Sequence, residues 1–281
     1  MKQDRSSFGL PINGSLRSVS IASLCIVALI VIASAASLAF QAKMYPAMEV
    51  RRTFLPNDVA NLVIGAPALL VSMGLARRGL WVGVLFWPGA VLYVLYNYLA
   101  ALLSLPSVPM IGLSAALVAL CFYVLTGLMR STDGAFLRNR LGSKALSRIS
   151  GSLLAVLGIL TLTRAISVLA AAALGHANPG VLDVAVSIVD CLIAPVFIVC
   201  GVFLFRQRAL GYLTGLGLLL TANLLFSGLI VFMLAQPLTG GARRGAADFL
   251  TIGGAGLVFL IPFVFFVRGV HAAQRQCQSR G

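Results

Sequence analysis

Acidic side chains are scarce in this chain: seven Asp and Glu stand against 21 Lys and Arg, and charged residues of every kind make up only 10% of the 281 positions. A soluble domain carries about 25% charged residues, so a solvated globular surface is excluded. Long polar segments are missing as well. The longest polar connection, residues 130–148, has no room for a soluble domain. Histidine occurs twice, at His176 and His271, on opposite sides of the membrane in the topology derived below, and so unable to share a metal. The five cysteines (Cys25, Cys121, Cys191, Cys200, Cys277) include no Cys-x-x-Cys pair, and four lie in apolar runs. Neither a disulfide framework nor a zinc site is expected from an odd count with that spacing. No His-Glu-x-x-His and no Asp-x-x-x-Asp on a single helix occurs, and no cofactor is expected.

What the chain has is apolar length: 60% of its residues are hydrophobic. Eight runs reach the roughly 20 residues needed to cross about 30 Å of hydrocarbon as helices. They are Ser20–Phe40, Asn57–Leu75, Leu80–Ala100, Val108–Leu128, Ile149–Leu174, Leu182–Phe205, Ala209–Leu234 and Ala247–Val267. A transmembrane β-barrel shows alternating segments of about ten residues, whereas these runs are continuous and twice as long. The expected fold is therefore an all-α integral membrane protein of eight spans.

The positive charge is unevenly placed. With the N-terminus inside, the cytoplasmic side carries fifteen basic residues: Lys2, Arg5, Arg17, Arg77, Arg78, Arg130, Arg138, Arg140, Lys144, Arg148, Arg206, Arg208, Arg268, Arg275 and Arg280. The outside keeps Lys43, Arg51, Arg52, Arg243 and Arg244. Short loops with such a bias set orientation, which gives both termini inside. The expected partners are membrane lipids, with anionic headgroups against the cytoplasmic side; a protein partner or a homo-oligomer stays open. Nucleic acid is not expected, because "RNRLGSK" at 138–144 lacks interleaved aromatics. A signal-peptide reading of the first run, with "ASAA" at 33–36 as cleavage site, competes with a retained first helix. The run's spanning length and its 19-residue polar leader favour retention.

The two halves resemble each other at an offset of 128. Ala66–Pro67 meets Ala194–Pro195, Arg78 meets Arg206, Gly83 meets Gly211 and Gly89 meets Gly217. A repeat of four spans inserts both copies in the same orientation, as in the parallel repeats of some transporters. The organisation expected is a cytoplasmic leader (1–19), a first four-span repeat (20–129), a basic linker (130–148), a second four-span repeat (149–267) and a cytoplasmic tail (268–281). "LPNDVANLVIGAPALLVSMGLARRG" followed by "GAVLYVLYNYLAALL" resembles a set of bacterial multi-span membrane proteins. In these an Asx pair opens a helix with a midway Gly-x-Pro, followed by an "ARRG" turn and a tyrosine-rich return helix. The resemblance covers about 45 residues and implies a bacterial inner membrane; it carries no activity.

The polar residues inside the spans mark the candidate site. Arg164 in "GILTLTRAISVL" is the lone charge between Ile149 and Gly175, and burial at the bilayer centre costs roughly 2.5–3.5 kcal/mol on the most lenient scale. It lies roughly 22 Å from the cytoplasmic end of its helix, at the height of Asp190 in the next span. We expect the two to pair facing the bundle interior, bordered by Tyr93, Tyr96 and Asn97, by Asn223, by Asn61 and Asp58, and by Ser187. Plainer readings stand beside this one. Asp58, Asp183 and Asp248 each fit a helix N-cap; Tyr93, Tyr96 and Tyr98 fit an interfacial aromatic belt; the asparagines fit interhelical hydrogen bonding. Three functions fit the sequence: binding or transport of a small anionic or amphiphilic ligand in a polar outer cavity, an accessory or sensor subunit, and an intramembrane enzyme on a lipid or isoprenoid.

Overall fold

Lipid offers backbone amides no hydrogen-bond partner, so an apolar chain of this length satisfies them within helices. The computed structural model describes residues 16–45, 48–104, 107–140, 144–239 and 244–278. Its α-helices are α1 (Arg17–Ala39), α2 (Gln41–Met44), α3 (Met48–Ala60), α4 (Ala66–Arg77), α5 (Trp81–Ser104), α6 (Val108–Ser131), α7 (Gly134–Arg140), α8 (Lys144–Ala173), α9 (Val181–Phe205), α10 (Ala209–Ala235) and α11 (Ala246–Gln278). A π-helical segment, Asn61–Gly65, joins α3 to α4, and a 3-10 turn, Gln236–Thr239, follows α10. No strand occurs among the described residues. Eight helical rods are long and apolar enough to cross a bilayer: α1, the continuous rod Val50–Arg77, α5, α6, α8, α9, α10 and α11.

The rods alternate in direction, and several contacts fix which ends meet. The Ser147 hydroxyl donates to the Tyr212 hydroxyl at 2.9 Å, bringing the starts of α8 and α10 together. The Gln274 side chain accepts from the Trp81 amide at 3.1 Å and donates to the Gly79 carbonyl at 2.8 Å, tying the end of α11 to the α4–α5 turn. At this end, the basic end, stand Arg77, Arg78, Arg130, Lys144, Arg206 and Arg208. The short α7 closes it. Asp133 accepts from the Ala135 and Phe136 amides at 2.8 and 3.2 Å, Phe136 packs edge-on against Trp81, and Leu137 is fully buried. Tyr45, α2, the end of α5 and the start of α6 lie at the opposite, far end.

Helix α5 is the axis of the bundle. One face joins α1, α4 and α6 in a core around Ile26, Ile30, Leu69, Val91 and Leu117. The other joins α9, α10 and α11 around Leu85, Phe197, Leu216 and Phe266. α5 and α10 cross backbone to backbone: a Cβ on Gly89 would lie 2.1 Å from the Gly217 carbonyl oxygen, so only glycine fits. The Thr221 hydroxyl donates to the Gly89 carbonyl at 3.0 Å across the same crossing.

The turns α4–α5 and α9–α10 are built alike. Arg78 and Arg206 both take φ −78° and ψ 4°, and the next residues, Gly79 and Gln207, both have positive φ, 76° and 56°. The Leu80 amide donates to the Leu75 carbonyl at 3.1 Å, and the Arg208 amide to the Phe203 carbonyl at 2.9 Å.

Helix boundaries depart furthest from the sequence expectation in two places. The rod that was expected to begin at Asn57 begins at Met48, so Asn57, Asp58 and Asn61 lie within it and Asp58 caps nothing. Met48–Ala60 contains Arg51, Arg52 and Asp58, which lowered its apparent hydropathy and hid its continuity with the apolar run. The last helix continues past Val267 to Gln278, its basic segment amphipathic rather than apolar. The N-terminal leader, residues 1–15, lies outside the described residues, as does the 141–143 stretch of the basic linker.

Candidate functional site

The intramembrane polar residues gather in two clusters on different faces of α5. At about 100° per residue, Tyr98 points about 160° away from Tyr96. Each tyrosine belongs to a different cluster.

The first cluster joins α8, α9 and α5. The Arg164 Nη2 donates to Asp190 Oδ2 at 2.7 Å, and the Tyr96 hydroxyl donates to the other carboxylate oxygen, Oδ1, at 2.8 Å. Arg164 and Asp190 are each nine residues from the far end of their helices, Ala173 and Val181, or about 14 Å at 1.5 Å per residue. The tight α8–α9 packing that puts them side by side rests on Gly151, Gly158 and Gly201. A Cβ on Gly158, for example, would stand 2.8 Å from the Ala194 carbonyl oxygen. The pairing expected from the sequence is present, but the guanidinium is not enclosed. The Asp190 side chain is 4% exposed and that of Arg164 52%. The carboxylate is sunk between helices and serves as the anchor; the guanidinium rests over it on the bundle surface. Of its five N–H donors, one holds Asp190.

Several residues expected around this pair turn elsewhere. The Asn97 amide donates to the Tyr93 carbonyl at 2.9 Å, and the Asn223 amide to the Leu219 carbonyl at 2.8 Å, each within its own helix. The Ser187 hydroxyl donates to the Asp183 carbonyl at 2.7 Å. The Tyr93 ring fills the space left by two glycines: a Cβ on Gly65 would meet it at 3.1 Å, and one on Gly228 would meet its hydroxyl at 2.6 Å. Tyr93 and Tyr98 are each 1% exposed, so neither belongs to a lipid-facing aromatic belt.

The second cluster joins α1, α3 and α5 near the far end. Asp58, 2% exposed, accepts from the Tyr45 hydroxyl at 2.7 Å. Ser37, fully buried, stands against the same carboxylate while its hydroxyl also reaches the Ser34 carbonyl at 3.0 Å. The Tyr98 and Ser34 hydroxyls approach one another without a well-formed hydrogen bond. Asn61, one helical turn after Asp58, is 1% exposed and its Oδ1 has no partner. Burial, and then the Asp58 carboxylate beside it, pushes the Tyr45 phenol above its ordinary range, which keeps it a neutral donor. Tyr45, Phe54, Leu55, Ala101 and Met110 form an apolar layer at this end, with Tyr45 stacked on Phe54 at 5.6 Å. Beyond it, an open cleft of about 380 Å³ is lined by Leu38–Lys43 and Arg51. Sequence reasoning missed Tyr45, Ser34 and Ser37, because the chain reversal through α2 that returns Tyr45 to Asp58 has no short-range signal.

Of the other carboxylates, Asp183 is exposed in the first turn of α9, and Asp248 accepts from the Gly245 amide at 3.2 Å at the start of α11. Both complement a helix N-terminus. No group of three or more His, Cys, Asp or Glu side chains placed to hold a metal occurs among the described residues.

An all-helical bundle with eight bilayer-length apolar rods and an Arg164–Asp190 ion pair within the apolar zone defines a multi-pass membrane protein. No family model, curated protein or solved structure matches the chain, so no relative assigns a role to these residues.

Proposed function

We propose that the protein binds an amphiphile with an anionic headgroup, taken laterally from the membrane and held at Arg164. The observation that carries this reading is the asymmetry of the ion pair: a carboxylate 4% exposed beneath a guanidinium 52% exposed, about 14 Å inside the far end of the helix. An arginine needed only for structure lowers its own cost by burying its donors against partners. Here Asp190, itself held by Tyr96, fixes one edge of the guanidinium, and the others face outward where lipid lies. A headgroup carboxylate or phosphate matches that fork of donors, and an apolar tail matches the surroundings.

The surface around Arg164 supports lateral access. Along α8, Leu146, Leu153, Leu157 and Arg164 follow one another at spacings of seven, four and seven residues, which is one helical stripe. Near the basic end this stripe packs into the core shared with Phe266, Val270 and Ala273 of α11. Toward the far end both helices turn apolar residues outward, Leu160 on α8 and Leu250, Leu257 and Val258 on α11. A Cβ on Gly253 or Gly254 would meet nothing. The ligand's tail would lie between these two helices. An acid/base enzyme is less well supported, because Asp58 and Asp190 belong to different faces of α5.

The same reading includes an orientation and a history. The basic end is cytoplasmic, in a bacterial plasma membrane, and the two halves are copies of one four-helix unit. Support for duplication comes from the like-built turns and from Gly83 and Gly211. A Cβ on each would strike the residue pair 75–76 or 203–204, which are related by the same offset of 128.

The test is binding of a single-chain alkyl phosphate or carboxylate to the purified protein in nanodiscs. Saturable binding at one site, weakened tenfold or more by Arg164→Gln with Asp190→Asn, is expected. A neutral amphiphile of the same chain length should not compete. Equal binding by the double variant would overturn the reading.

A further inference from the structure

We propose that Asp58 is the centre of a binding site for a small monovalent cation, a proton or a sodium ion, separate from the Arg164 site. The buried polar groups around it do not satisfy one another. Ser37 has one hydroxyl proton and two acceptors in reach, the Asp58 carboxylate and the Ser34 carbonyl at 3.0 Å; it serves one at a time. The Asn61 Oδ1, the Tyr98 hydroxyl and the Ser34 hydroxyl are all without a partner, in residues no more than 1% exposed. Native proteins rarely leave such groups unpaired. Several unsatisfied oxygens beside one buried carboxylate are the chemistry that accepts a positive charge.

The backbone adds to this. Asp58 and Asn61 lie three residues apart and share one face, and Asn61 opens the π-helical segment that ends at Gly65. The Ala66 amide reaches back five residues to the Asn61 carbonyl, and Pro67, next in line, has no N–H to give. A carbonyl one turn before Pro67 is thereby left without its helical donor. Broken helical hydrogen bonding beside a buried carboxylate recurs where membrane proteins coordinate sodium ions or protons.

No fixed cation neutralises the carboxylate among the described residues. Arg51, two turns earlier on α3, directs Nη2 to the Tyr45 carbonyl at 3.4 Å. Lys43 lines the cleft outside the apolar layer. α1 offers hydroxyls alone, and α5 offers the neutral Tyr93 and Tyr98. Tyr45, fully buried, touches Asp58 with its hydroxyl while its ring stacks on Phe54.

Two measurements on the intact protein in nanodiscs test this. One is the rate at which a hydrophobic carbodiimide modifies Asp58, read by peptide mass spectrometry between pH 5 and 9, with sodium chloride or choline chloride at equal ionic strength. The other is the melting temperature in the same two salts, for wild type and Asp58→Asn. If a proton is bound, modification falls about tenfold per pH unit on the alkaline side, and sodium changes neither rate nor melting. If sodium is bound, it slows modification severalfold at fixed pH and raises the melting temperature of wild type but not of Asp58→Asn. Either pattern supports the site. Modification that ignores both pH and sodium, or no modification together with melting that is the same in both salts for both proteins, overturns it.

Discussion

Arg164 and Asp190 divide the labour unequally. Asp190, sunk between α9 and α5, needs a positive partner because an unpaired carboxylate at that depth costs kilocalories. Arg164 needs Asp190, which Tyr96 holds in turn, to fix its orientation, yet half of its side chain remains at the surface. Arg164→Ala is therefore expected to lower the melting temperature more than Arg164→Ala combined with Asp190→Ala. A double-mutant cycle should give a coupling of about 0.5–3 kcal/mol. Additive losses would mean that the pair does not act as one unit in the membrane. Tyr96→Phe removes only the second donor to the carboxylate; it should be milder, on the order of 1 kcal/mol. This pair was legible in the sequence because a lone arginine in an apolar run must find a partner at its own height, and helical rise supplies the height. The exposure of the guanidinium was not legible, since it depends on how far α8 and α11 pack along their length. The Asp58 cluster was half legible. Asp58 and Asn61 stood out as polar residues in an apolar helix, but Tyr45, Ser34 and Ser37 join them only through the chain reversal at α2.

At the level of elements, irregular segments sit where the sequence places proline and glycine. Pro67 cannot donate to a carbonyl one turn back and its ring crowds that turn; the helix widens into a π segment just ahead of it, at Asn61–Gly65. Pro67→Ala restores the donor. It is expected to let the segment relax toward α-helix, rotating Asn61 relative to Asp58, seen as altered carbodiimide reactivity of Asp58. Unchanged reactivity would detach the π segment from the cluster. The α5–α10 crossing depends on size instead. Gly89→Ala would place a methyl 2.1 Å from the Gly217 carbonyl oxygen, and such overpacking costs typically about 1–3 kcal/mol. Gly74→Ala and Gly112→Ala, where nothing lies within 4 Å, are expected to leave stability unchanged or slightly raised. Comparable melting for all three variants would contradict the close crossing. The eight rods themselves were readable from hydropathy alone, and the start displaced furthest, at Met48 rather than Asn57, fell where arginines and an aspartate interrupt the apolar pattern.

Across the whole molecule, the basic end gathers the arginines of the α4–α5 and α9–α10 turns, the end of α6 and the start of α8. With that end cytoplasmic, a cysteine at position 178, introduced on a cysteine-free background, should react with an impermeant reagent from outside. One at position 142 should be spared, and the reverse pattern would invert the orientation. The resemblance of the halves was visible as glycine, proline and arginine in register. At those positions the structure has two turns with matching dihedral angles at Arg78 and Arg206 and two close helix approaches, at Gly83 and Gly211. What one sequence could not convey is where the bundle opens, because a lipid-facing leucine and a buried leucine read the same. The central claim, a guanidinium held by Asp190 and offered to an amphiphile, is tested most directly by native mass spectrometry of the protein extracted from its own membranes. Wild type is expected to retain one anionic amphiphile per chain, and the Arg164→Gln, Asp190→Asn protein to lose it while keeping its fold. Equal retention by both, or no anionic amphiphile on wild type, would contradict the account.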